Sequence, residues 1–221
     1  MAPAALLAAL QLGDSAFPSG AFTQSHGLET LVAEGAVAGA GDVEAVLAAH
    51  LRHRLARADL PALLAAHRAA EEGHREQVLR IDAALTAVKM TREERQASAR
   101  VSARLIAECA RLEPNPILAS CRPGNAAVAF ALAGVAMGLS ASESALTYAY
   151  GFASALLSAS MRLLRIGHGE VQAVLRRSHA LIETAVADAE GVPWDALRPF
   201  APALDLASAR HELLPARLFA S

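Results

Sequence analysis

Residues 123–161 read PGNAAVAFALAGVAMGLSASESALTYAYGFASALLSASM, and the reading of this stretch decides the fold class. It is free of Asp, Glu, Lys and Arg from Pro123 to Ser142 and again from Ser144 to Met161. Each run approaches the ~20 residues that cross a bilayer. A lipid-facing helix, however, is rich in Leu, Ile and Phe, whereas alanine dominates here, interrupted by Gly134, Gly138, Gly151 and several serines. Small residues let helix backbones approach closely in either solvent. The stretch is therefore expected to form two central helices of a water-soluble protein and not a membrane hairpin. Ser140-Ala141-Ser142-Glu143 is a capping box that separates them, with one helix over about 125–139 and a longer one over about 141–165.

The rest of the chain points the same way. Of 221 residues, 54% are apolar but only 4% aromatic and 19% charged, and alanine alone makes up about a quarter. Alanine and leucine head the helix-propensity scale, while residues that favour strands are scarce. An all-α protein follows. The formal charge of -2 offers no attraction to phosphate backbones, which argues against nucleic acid as a partner. Cys109 and Cys121 form no CxxC pair and suit free thiols in a cytoplasmic setting. The apolar N-terminus lacks the basic region of a signal peptide and reads as a short helix of the fold.

Stop signals divide the chain into about nine or ten helices. Outside the central pair these are expected over about 3–12, 23–34, 43–58 (with Asp42 as its N-cap), 59 to near Gly73, 74–89, 92–112 (behind a capping box at Thr91 to Glu94) and 170–190. Residues 194–221 read as a helical turn and an arm over the surface. With no repeat or linker, a single domain spanning 1–221 is expected. Arg52, Arg54, Arg57, Arg92, Arg95, Arg100 and Arg104 should lie on outer faces.

Chemistry-bearing motifs are few. There is no GxxxxGK[ST] loop, GxGxxG, GxSxG or HExxH, so neither nucleotide hydrolysis nor a familiar hydrolase site is expected. His67, Glu71 and His74 fall at i, i+4 and i+7, which would put two imidazoles and a carboxylate on one stripe. That makes a helical metal-binding enzyme the alternative reading; the other is an exposed polar face beside Gly73. His50 and His53, set among arginines, are expected at the surface. His168 between two glycines either marks a place where another surface approaches or caps the preceding helix. Phe17 and Phe22 flank one loop, and Leu218-Phe219 sit near the C-terminus. Such aromatics either pack on this protein or anchor a partner.

The two ends carry a resemblance. LQLGDSAFPSGAF at residues 10–22, followed by Ser25-His26-Gly27-Leu28-Glu29, resembles the N-terminal signature of the urease accessory protein UreF family. Arg210-His211-Glu212 and Arg217-Leu218-Phe219-Ala220-Ser221 are similar to that family's C-terminal signature. Arg162-Leu163-Leu164-Arg165-Ile166-Gly167 falls between them in the expected order, so the likeness covers nearly the whole chain. Two departures stand out. Pro123 to Ala127 replaces the usual His-Pro, and Gly167-His168-Gly169-Glu170 replaces a glycine-glutamine turn.

The resemblance implies an all-α, non-catalytic, cytoplasmic chaperone without a cofactor of its own, typically a homodimer. Such proteins bind UreD (UreH in some species) and recruit the GTPase UreG. The assembly engages apo-urease for GTP-dependent insertion of nickel delivered by UreE. By matching position, the resemblance assigns partner binding to Asp14, Ser15, Phe17, Pro18, Gly20 and Phe22 at one end. At the other it assigns Arg210, His211, Glu212, Arg217, Leu218, Phe219 and Ser221. No catalytic or metal-ligating residue is implied.

Overall fold

The computed structural model describes residues 2–220. Among them there are eleven α-helices and no strand: α1 (Pro3–Gly13), α2 (Leu28–Ala33), α3 (Ala40–His53), α4 (Asp59–Glu71), α5 (Arg75–Val88), α6 (Arg92–Leu112), α7 (Pro116–Ser120), α8 (Ala126–Ala136), α9 (Ala141–Leu163), α10 (His168–Glu190) and α11 (Pro202–His211). None of the helices is long and apolar enough to cross a membrane.

Helix α8 is buried on every side from Ala127 to Gly134. It packs against α4, α6 and α9, and alanine at six of its eleven positions permits that approach from several directions. Helix α9 buries one stripe, including Ala145, Ala149, Ala153, Leu156 and Leu157. Helix α4 joins this centre, with Leu60, Leu63, Leu64, Ala66, His67 and Ala70 all inside. The expected central pair thus becomes a trio. The closest approach is at Gly134, where a Cβ would lie 2.1 Å from Ser144 Oγ.

Caps explain most helix ends. Ser140 accepts the Glu143 N–H while Glu143 Oε2 accepts the Ser140 N–H at 2.9 Å, completing the expected box. Thr91 accepts the Glu94 N–H at 3.1 Å, but the Glu94 carboxylate turns away to buried cations, so only half of that box forms. Asp42 lies three residues into α3 and is not its N-cap, because its Oδ2 accepts the N–H groups of Ala38 and Gly39. Helix α3 ends at His53 and not at 58, and a 3₁₀ turn at Leu55–Arg57 follows it. The helix expected over 23–34 shortens to Leu28–Ala33. His26 and Gly27 take left-handed φ values of 53° and 84° and break it. His168 occupies the first position of α10, ahead of the expected start at 170, where Glu170 caps the Gly167 N–H.

Three histidine expectations need correction. The stripe of His67, Glu71 and His74 does not exist, because α4 ends at Glu71 and Gly73, at φ 73°, turns the chain away. Nor is His67 on an exposed face. It is fully buried, donates from Nε2 to the Leu139 carbonyl at 2.9 Å and so supports the turn after α8. Burial lowers its pKa against the pull of Glu71. His74 is exposed beside Glu72, and no group of three His, Cys, Asp or Glu among the described residues could hold a metal ion. His50 is buried under α9 against Phe152, with ring centroids 5.2 Å apart, while His53 is exposed as expected.

Candidate partner-binding site

Glu29, in the first turn of α2, is a buried carboxylate that gathers the C-terminal arm. Its Oε1 accepts the Leu218 N–H at 2.6 Å, and its Oε2 accepts the Phe219 N–H at 3.2 Å and faces His211 Nε2 at 2.8 Å. His211 is fully buried, and its Nδ1 faces Glu93 Oε1 on α6 at 2.8 Å. Arg217 reaches the same Glu93 oxygen at 3.5 Å. Carboxylates removed from water require such partners. Here the partners are the backbone and side chains of the arm itself.

The N-terminal loop lies alongside. The Ala220 N–H donates to the Thr23 carbonyl at 2.9 Å. Arg162, in the last turn of α9, donates to the Phe22 carbonyl at 2.9 Å. Its guanidinium also stands over the Phe22 ring at 4.5 Å and the Phe219 ring at 4.3 Å. Two segments nearly 200 positions apart thereby form one face. Phe219 is 6% exposed and anchors the arm, while Leu218 at 73% and Phe22 at 48% point outward.

The remaining residues assigned by resemblance are spread around this face. Asp14 Oδ1 accepts the Ala16 N–H at 2.8 Å and shapes the loop, and Ser15 and Pro18 are exposed. Phe17 packs partly against the core. Gly20 has φ 78°, and a Cβ there would lie 2.7 Å from an Arg104 guanidinium nitrogen, so loop and α6 meet closely. Arg210 pairs with Glu34 at 2.8 Å and Glu212 with Arg92 at 3.1 Å, both at the surface. Ser221 lies outside the described residues.

Beneath the loop is a cavity of about 160 Å³, room for several waters, whose walls include Phe17, Phe22, Phe130 and Phe152. Its inner end carries an ion network that sequence reasoning did not find. Lys89 lies 3.0 Å from Asp59 and 3.2 Å from Glu94, and Arg54 pairs with both Glu94 and Asp205. Arg54 is therefore not on an outer face, as its spacing suggested. Burial would push the Glu94 carboxyl up, but Lys89 and Arg54 outweigh it and hold the pKa at about 2. Burial, aided by Arg54, lowers the His26 pKa to about 4 and lowers that of His50 as well. The one sequence signal was the Glu94 of a capping box. Its partners sit on other helices, where local periodicity carries no trace of them.

Known proteins resemble this chain. The UreF family model matches residues 37–179. A urease accessory protein UreF from Bacillus sp. (strain TB-90) is 31% identical over 98% of this chain and 99% of its own length. That of Cereibacter sphaeroides (strain KD131) is 35% identical over 98% of each chain, and that of Chromohalobacter salexigens is 33% identical over 99% of this chain and 96% of its own. All three relatives carry the name of an accessory protein, not of an enzyme. The chain belongs to the UreF family of urease accessory proteins.

Proposed function

We propose that this protein is the non-catalytic scaffold that binds UreD (UreH) and recruits the GTPase UreG, so that nickel enters apo-urease at the cost of GTP. The observation that carries the reading is the single face built from both termini around Glu29 and Arg162. A composite face with Leu218 and Phe22 outward and arginines at its rim has the make-up of a protein-binding patch. On this reading Asp14, Ser15, Phe17, Pro18, Gly20, Phe22, Arg210, His211, Glu212, Arg217, Leu218, Phe219 and Ser221 form or support the partner surface. The sequence contains no phosphate-binding loop, so GTP belongs to UreG and nickel is cargo. Pairing of two copies is part of the same reading. The outward Leu6, Leu7 and Leu10 of α1 offer apolar area for it. Cytoplasmic residence suits the buried, free Cys109 and Cys121.

The test is co-purification with UreD and UreG, comparing the intact chain with one ending at Pro215. The truncated chain should lose at least tenfold in capture of UreD while remaining helical by circular dichroism. Equal capture by the two chains overturns the assignment of the arm.

A further inference from the structure

We infer that Arg162 is the positioning residue that makes the N-terminal loop and the C-terminal arm open and close as one unit. The inference rests on the reading of the composite face as the partner surface and deepens it. Neither segment is held by an extensive apolar core of its own. The loop presents Phe22 half in water, and in the last four described residues only Phe219 is buried. Besides the Ala220 N–H on the Thr23 carbonyl at 2.9 Å, what links them is one guanidinium, 4.5 Å from the Phe22 ring and 4.3 Å from the Phe219 ring, which also donates to the Phe22 carbonyl at 2.9 Å. A planar, always-charged guanidinium can stack on rings and donate hydrogen bonds at once, which an ammonium cannot do. Arg162 is itself anchored in the last turn of α9, whose buried face is part of the core. If the arm lifts, Arg162 loses one ring and its hold on the loop weakens; if the loop lifts, the arm loses its support. The two termini are thus coupled through a third element, and a partner that orders one orders the other.

Amide-resolved hydrogen exchange on the full-length protein tests this, because local opening of a few residues shows as faster exchange against an unchanged core. In Arg162→Ala, exchange at Leu218 and Phe219 and at Thr23 and Gln24 should rise together by about tenfold, with the amides of α8 unaffected. Arg162→Lys should restore part of the protection, since the charge over the rings remains. Phe22→Ala should speed exchange at the Leu218 amide, whose own acceptor is Glu29 and not the loop, and should add nothing in the Arg162→Ala background; a further increase there would mean that the Ala220–Thr23 hydrogen bond carries the coupling instead. Unchanged exchange in Arg162→Ala, or opening of one segment while the other keeps its protection, overturns the inference. Capture of UreD by the same variants separates it from the reading on which it rests. Coupled opening with undiminished capture leaves the clamp standing and removes the partner role of the face.

Discussion

His26 shows how much a single residue can carry that its neighbours in sequence do not announce. It takes a left-handed φ of 53°, rare for a residue with a Cβ, and turns its ring against Phe152 at 4.4 Å. Desolvation lowers its pKa from 6.5 to about 4. The sign follows from linkage: the unfolded chain takes up a proton below about 6.5 while the folded chain resists until about 4, so this stability is complete above 6.5 and is lost as the pH falls through that window. His26→Asn keeps a side chain that tolerates the left-handed region and removes the titration. The variant should therefore lose less stability than the native protein between pH 7 and 4.5. At about 1.4 kcal/mol per pKa unit, and allowing for a partly hydrated ring, the difference is on the order of 2 kcal/mol. Urea titrations at the two pH values read it directly, and parallel losses in both proteins would contradict the shift. The sequence offered His26 only as part of a family signature and placed His50 at the surface because arginines surround it. Residue types nearby in sequence say little about which ring will lie beneath another helix.

At the scale of elements, legibility followed local chemistry. Helices bounded by a proline, a glycine or a capping serine, such as α4, α5, α6 and α9, lie within about two residues of their expected ends. Helix α2 was overestimated because its break depends on His26 entering the left-handed region, and α7 was missed because five residues between prolines leave no period to detect. The alanine and glycine content of α8 did show that helices would pack closely, though not which helices. The crossing at Gly134 tests that packing. Alanine there would gain up to about 1 kcal/mol of helix propensity. Its Cβ would nonetheless lie 2.1 Å from Ser144 Oγ and 3.0 Å from Ser144 Cβ, with His67 3.6 Å away. Overpacking of this kind costs about 1–3 kcal/mol, so Gly134→Ala should be net destabilising. Ser144→Ala removes the closest atom, a buried hydroxyl without a hydrogen-bond partner. In thermal unfolding the double variant should be more stable than the sum of the two single changes implies; strict additivity would mean that the helices simply move apart.

For the molecule as a whole, the ion network at the inner end of the cavity does what apolar patterning alone does not. It draws Arg54 from the end of α3, Asp59 from the start of α4, Lys89 from beyond α5, Glu94 from the start of α6 and Asp205 from α11 into one buried cluster. Burying five charges is costly, so the cluster adds less to net stability than to the fixing of these helix ends in one arrangement, and removing one member leaves the others exposed to that cost. Glu94 is the most informative member. Its pKa of about 2, against 4.5 unperturbed, means that its contribution is present above about 4.5 and is lost as the pH falls through 2. Glu94→Gln should therefore be less stable than the native chain at pH 7 by on the order of 3 kcal/mol, or roughly 6–12 °C in melting temperature for a chain of this size. The gap should begin to close only below pH 4.5, after His26 has already taken most of its toll. Melting curves at pH 7, 5 and 3 decide the matter. A gap that is constant across all three would mean that Glu94 acts through shape and not through charge, and a gap that narrows between pH 7 and 5 would contradict the lowered Glu94 pKa, since its loss would then fall above the window from 4.5 to about 2.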